Sequence, residues 1–237
     1  MNSEDRLILV AGGTGGLGRA VALTFLVEGA RVAVTYRAAA ELEALTRAAG
    51  EDAVRISGHP TDVTNHEAVG TLVDELVARH GRLDALVNTV GAYAGGAKLW
   101  EMDAETLDRM LLANLRSGYV LARAAVPVML KQGHGAIVNV ASRAALVHGP
   151  GESAYAASKA AAVALIDSLA ADLKGTGVRA NSILPGIIDT EANRRAMPKA
   201  DFSKWPKPEE IARVVLFLCG DDAKLIHGAA IPVYGQS

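Results

Sequence analysis

Short apolar runs alternate with longer amphipathic ones along this chain, and that alternation restricts its fold more than any other feature. RLILVAG (6–12), RVAVTYR (31–37), AVRIS (53–57), DALVNTVG (84–91), GAIVNVAS (135–142), VRANSILPG (178–186) and GAAIPVYG (228–235) read as strands. Helical spacing occupies RAVALTFLVEGA (19–30), ELEALTRAAG (41–50) and HEAVGTLVDELVARHG (66–81). It recurs over about 103–132, over an alanine-rich run at about 153–174, and in PEEIARVVLFLCG (208–220). The strands are apolar on both faces, so neither face meets water. The pattern predicts an α/β fold: a doubly wound, parallel seven-stranded sheet with helices on both faces, in one domain of 237 residues. The segment 187–207 is the one irregular stretch, carrying Arg194, Arg195, Lys199, Lys204 and Lys207 beside Pro198 and Pro206.

Composition narrows the partners. With 24 Lys and Arg against 26 Asp and Glu, the net charge is -2, so nothing favours nucleic acid. The lone Cys219 cannot form an internal disulfide. The acidic start MNSEDRLILV lacks a basic region followed by a signal-peptide core. No apolar run is read as reaching the 18 or so residues that span a bilayer. A cytoplasmic protein with no membrane partner is therefore expected. The six histidines show no metal-ligand spacing, and no metal site is expected.

AGGTGGLG (11–18) stands between the first strand and the first helix. Gly12, Gly15, Gly16 and Gly18, with Thr14 and Leu17 between them, let backbone amides approach a pyrophosphate. The helix start adds partial positive charge. A tight turn alone would also use these glycines. The strand before and helix after favour dinucleotide binding. In such a unit, an acidic residue about 20 positions on marks NAD and an arginine marks NADP. Tyr36 stands at the acidic place and Arg37 follows it. Arginine suits a 2′-phosphate by shape and charge. NADP(H) is the expected cofactor, with NAD(H) the alternative.

SAYAASK (153–159) sets Tyr155 and Lys159 four residues apart, one helical turn, on one face. On a surface the pair would mean nothing. In a cleft, the cation would lower the phenol's pKa from about 10 and make it an acid–base group near neutrality.

Read in order, AGGTGGLG, Asp62-Val63, Asn88-Thr-Val-Gly91, Asn114, Ser142, YAASK and NSILPGIIDT (181–190) resemble the short-chain dehydrogenase/reductase family, in its single-domain branch. The resemblance covers nearly the whole chain, and includes NADP-dependent 3-oxoacyl-carrier-protein reductase-like members. It implies a Rossmann fold and hydride transfer between a nicotinamide and a small-molecule carbonyl or secondary alcohol. Tyr155 would be the general acid–base. Lys159 would lower its pKa and hold the nicotinamide ribose. Ser142 would hydrogen-bond the reacting oxygen, and Asn114 would hold a water linking Lys159 to solvent. Asp62 and Val63 would contact the adenine edge; without the resemblance, Asp62 is only a turn residue. Asn88 and Gly91 would lie near the cofactor, where Thr89 and Val90 depart from the family pattern. Pro185, Gly186, Ile188 and Thr190 would cover the nicotinamide carboxamide. Tyr93, Trp100, Val147 and His148 are candidate pocket walls by position. Relatives pair the two long helices, so a homotetramer through 103–132 and 153–174 is expected. Two other readings stay open: an NAD-dependent alcohol or sugar dehydrogenase, and a non-catalytic nucleotide sensor.

Overall fold

In the computed structural model, which describes residues 6–236, seven strands form one parallel sheet. They are β1 (Leu7–Ala11), β2 (Arg31–Thr35), β3 (Ile56–His59), β4 (Ala85–Asn88), β5 (Gly135–Val140), β6 (Val178–Pro185) and β7 (Ala230–Val233). Their order is β3-β2-β1-β4-β5-β6-β7. The chain runs outward from β1 to β3, then crosses back to lay β4 on the other side of β1, pairing Ile8 with Ala85 and Ala11 with Asn88. The order reverses at that seam. A ligand crevice is therefore expected beyond the carboxyl ends of β1 and β4.

The helices are α1 (Gly16–Val27), α2 (Ala39–Ala49), α3 (His66–His80), α4 (Ala104–Leu111), α5 (Ser117–Gln132), α6 (Ser153–Asp172), α7 (Glu191–Ala196) and α8 (Pro208–Cys219). Alternate strand residues enter opposite layers, as the two-residue repeat requires. Ile8 and Val10 pack with Val21, Phe25, Ile211 and Val215 under α1 and α8. Leu7 and Leu9 pack with Leu72, Leu76, Leu121 and Met129 under α3 and α5. All twelve are at most 2% exposed. Side chains of this size contribute about 1.5–3 kcal/mol each when fully buried. Local signals set the ends. Asn65 caps α3 by accepting from the Glu67 and Ala68 amides, and Gly81 closes it in the left-handed conformation.

Four expectations need correction. AVRIS is not a strand from 53: the chain forms a 3-10 turn over Gly50–Arg55, and the strand begins at Ile56. The segment 187–207 is not wholly irregular, since it holds α7 and a 3-10 turn, Phe202–Lys204. Thr190 caps α7 through the Asn193 amide, a signal of serine/threonine type that the charge-rich stretch obscured. The helical region of 103–132 is two helices joined by a π-helical turn, Leu112–Arg116. Finally, Ser153–Asp172 is long and apolar enough to cross a membrane by length and composition, which small alanines hid from a reading by large apolar runs. In this fold it lies against β6 and α4. It buries Ala156, Lys159, Ala162, Ile166 and Ala170 there.

Candidate active site

The glycine turn occupies the seam. Gly12 has φ +72, its amide donates to Thr35 Oγ1 at 2.9 Å, and its carbonyl accepts from the Gly15 amide at 3.0 Å. A Cβ on Gly18 would stand 2.1 Å from the Gly12 carbonyl oxygen, and one on Gly13 2.5 Å from Val34. No side chain larger than glycine fits either place. Gly15 caps α1 with extended backbone and no side-chain hydrogen bond, and the first turn carries no acid. The first amides of α1 are thus left for an anion, which suits a dinucleotide pyrophosphate. Leu17 is buried beneath the turn. Thr14 faces outward and donates to Glu41 at 2.9 Å.

At the end of β2, Tyr36 is half-buried and Arg37 exposed. Asp62 Oδ1 accepts from the Thr64 amide at 2.9 Å and the Thr64 hydroxyl at 2.8 Å, closing its own turn. Those bonds hold its carboxyl below the ordinary 3.8, with Arg37 and Arg116 adding a smaller pull. Arg37 and Asp62 therefore face one region, with Val63 buried behind it. The segment that leaves β6 through Pro185 and Gly186 places Ile188 against the α1/α8 core. It then carries the Thr190 methyl to within 2.9 Å of where a Cβ on Gly16 would stand. It thus reaches the glycine turn.

Tyr155 and Lys159 lie on α6 with Lys159 only 5% exposed. Lys159 Nζ donates to the Val140 carbonyl at 3.0 Å. Burial lowers its pKa from 10.5 to about 8. The π-helical turn sets Asn114 inward, where Oδ1 accepts from the Ala92 amide at 2.9 Å. Its Nδ2 donates to the Ala92 carbonyl at 3.0 Å and to Ser158 Oγ at 2.9 Å. Ser158 donates in turn to the Tyr155 carbonyl at 2.7 Å. Gly91 lies between the two groups: a Cβ there would be 2.9 Å from Asn114 Oδ1 and 3.0 Å from Lys159 Nζ. Asn88 faces away, donating to Asn139 Oδ1 at 2.9 Å within the sheet.

Ser142, just past β5, accepts from the Ala144 amide at 3.1 Å and lies near enough to the Tyr155 phenol to lower its pKa. Burial raises that phenol above the ordinary 10.0, Ser142 opposes the rise, and the Glu152 charge adds to it. This corrects the expectation that a lysine one turn away would lower it. Desolvation dominates, and the Lys159 amine is directed to the Val140 carbonyl instead.

One neighbour of Tyr155 escaped the sequence reading, and another does more than was expected of it. Glu152 lies three residues before Tyr155, the spacing that puts side chains on one helical face. Tyr93, expected only as a wall, sets its ring edge-to-face on Tyr155 at 4.9 Å. Trp100 is 78% exposed and Val147 53%, so neither is enclosed as a pocket wall; His148 is exposed too. The basic residues beyond β6 are largely paired. Arg194 binds Asp189 bidentately, Arg195 pairs with Glu191, and Lys204 lies 3.6 Å from Asp201. A cavity of about 510 Å³ lined by Arg31, Arg79, His80 and Arg82 opens at the amino end of β2, away from this cluster.

A doubly wound parallel sheet, a bare helix start at its reversal point and a buried Lys one helical turn from a phenol define a nucleotide-binding α/β oxidoreductase class. The model of the short chain dehydrogenase family matches residues 6–201. The 3-oxoacyl-[acyl-carrier-protein] reductase FabG of Thermotoga maritima is 32% identical over 243 residues, covering 99% of this chain and 98% of that protein. The structure of ElxO with NADP bound superposes with a TM-score of 0.92 at 28% identity, covering 98% of each chain. NAD+-bound xylitol dehydrogenase superposes at 0.91 with 28% identity, covering 99% of this chain and 100% of that one. The chain belongs to the short-chain dehydrogenase family and is an oxidoreductase of CH–OH and C=O groups.

Proposed function

We propose that this protein is an NADP(H)-dependent carbonyl reductase in which Tyr155 exchanges the proton. The observation that carries the reading is the buried Lys159, one helical turn from Tyr155 on α6 and meeting Asn114 at Gly91. A nicotinamide bound here would supply a hydride to the carbonyl carbon, or accept one from the carbinol carbon in the reverse reaction. Ser142 donates to the carbonyl oxygen, where negative charge develops. Tyr155 gives up its O–H proton to that oxygen as the alcohol O–H forms, and the resulting phenolate is reprotonated from solvent by way of Lys159 and Asn114.

Gly12, Thr14, Gly15, Gly16, Leu17 and Gly18 would form the pyrophosphate cradle. Arg37 beside Tyr36 would take the 2′-phosphate, and Asp62 and Val63 the adenine. Gly91 would back the middle of the cofactor, Lys159 its ribose, and Pro185, Gly186, Ile188 and Thr190 its nicotinamide end, while Asn88, buried in the sheet on Asn139, would support that wall from behind and, contrary to expectation, not touch the cofactor. The NADP bound to ElxO supports this cofactor. An NAD-dependent alcohol or sugar dehydrogenase is the second reading. It is favoured by the NAD+ bound to xylitol dehydrogenase and by Glu41, whose carboxylate beside the turn would oppose a phosphate.

The 237 residues would act as one domain in the cytoplasm, where a lone buried thiol stays reduced. Exposed Leu107, Leu112, Tyr119 and Leu130 on and between α4 and α5 support a homotetramer through these helices and α6. A monomer by light scattering would refute that assembly. For the function, NADPH and NADH are titrated separately into the protein by nicotinamide fluorescence, and each is then followed at 340 nm with ketones. Tighter NADPH binding and ketone-dependent oxidation are expected. Preference for NADH overturns the cofactor assignment, and binding of neither overturns the function.

A further inference from the structure

We propose that Glu152, held by the Tyr93 hydroxyl, positions the substrate by accepting a hydrogen bond from a hydroxyl next to the reacting carbonyl, so that the enzyme selects neutral hydroxyketones and polyols over carboxylates. This rests on the oxidoreductase reading above and names its substrate class.

The two side chains come from different loops. Glu152 immediately precedes α6, and Tyr93 follows β4. The Gly96 amide donates to the Gly151 carbonyl at 3.0 Å, joining the loops. Across that joint the Tyr93 hydroxyl donates to Glu152 Oε1 at 3.2 Å. Both side chains rest on glycines. The phenol oxygen of Tyr93 would be 2.3 Å from a Cβ on Gly95, and Glu152 Oε2 3.0 Å from a Cβ on Gly149. The Tyr93 ring in turn sets its edge against Tyr155, with the planes at 73°. The carboxylate is thereby tied, through the Tyr93 ring, to the side of the Tyr155 phenol.

Its hydrogen-bonding capacity is far from filled. An ionised carboxylate has about four acceptor sites. Among the described residues Glu152 receives one neutral donor and no salt bridge. It is half-buried, so solvent reaches only part of it. Its charge raises the pKa of both phenols beside it. An anionic substrate entering here meets like charge, whereas a hydroxyl completes the acceptor. Hydrogen bonds to charged groups are the stronger kind, and losing one separates substrates by about ten- to hundredfold.

Three four-carbon ketones test this: L-erythrulose (hydroxylated), butan-2-one (unsubstituted) and 3-oxobutanoate (anionic). Wild type is expected to show kcat/KM about ten- to hundredfold higher for L-erythrulose than for butan-2-one, and lowest for 3-oxobutanoate. Glu152→Gln and Glu152→Ala should collapse the first ratio, with NADPH affinity and melting temperature in place. Glu152→Lys should move 3-oxobutanoate ahead of L-erythrulose. A first ratio near unity in wild type, or one that survives Glu152→Ala, overturns the inference. So does NADPH binding without turnover of L-erythrulose. Failure to bind either dinucleotide instead overturns the function on which the inference rests, and the inference with it.

Discussion

Lys159 Nζ donates to the Val140 carbonyl oxygen at 3.0 Å, so the buried cation of α6 is tied to the end of β5. Holding a charge there is costly, and its pKa falls from 10.5 to about 8. Between those values the unfolded chain holds a proton that the folded chain has released. Stability from this group therefore rises with pH from about 8 to about 10.5. Below about 8 both states are protonated and the full penalty, on the order of 3 kcal/mol, is present. Lys159→Met is expected to be more resistant to urea than wild type at pH 7. That advantage should fade by pH 10.5. A difference independent of pH would contradict the burial argument.

Gly18→Ala is expected to disable the turn. Its Cβ would meet the Gly12 carbonyl oxygen at 2.1 Å, and backbone cannot swing aside as a side-chain tip can. We expect a melting temperature lower by several degrees and dinucleotide affinity lower by at least about tenfold. Gly70→Ala, inside α3 with nothing within 4 Å, is the control. It should gain up to about 1 kcal/mol from helix propensity.

Ser142, beside the Tyr155 phenol, works against its upward shift. Ser142→Ala should therefore raise the Tyr155 pKa further. Removing the nearby charge in Glu152→Gln should lower it. Phenolate absorbance, followed against pH and corrected with a Tyr155→Phe control, checks both directions. Shifts of the same sign in the two variants would mean that a general change in burial, not these two groups, sets the phenol.

If Arg37 receives a 2′-phosphate, Arg37→Ala should weaken NADPH binding by about ten- to hundredfold and leave NADH nearly unchanged. Raising the salt concentration should shrink the difference, since Arg37 is exposed. Equal losses for both dinucleotides would point to a structural role instead.

The strands and helices were legible because the two-residue and 3.6-residue repeats were regular, as at Leu7, Ile8, Leu9 and Val10, which alternate between two cores. Residues 53–55 misled, because an apolar Ala-Val pair in a 3-10 turn looks like a strand start. Tyr155, Lys159, Ser142 and Asn114 were legible as residues, and the fold brings them together. The direction of the Tyr155 shift was not. Sequence spacing shows which charges are near in the chain, but not how deeply a phenol is buried or that Lys159 turns to a carbonyl of β5. Glu152 went unread for a related reason. Its partner Tyr93 lies 59 positions away, on a loop that only the sheet order brings alongside.

Replacing Tyr155 with phenylalanine tests the central claim most directly, with ketone-dependent NADPH oxidation and NADPH affinity measured on the same preparation. The exchange removes one oxygen and little else. We expect turnover to fall by at least about a hundredfold, the scale of a positioned acid–base group, with NADPH affinity within about threefold of wild type. Turnover that persists in the variant would contradict the assignment of proton transfer to Tyr155.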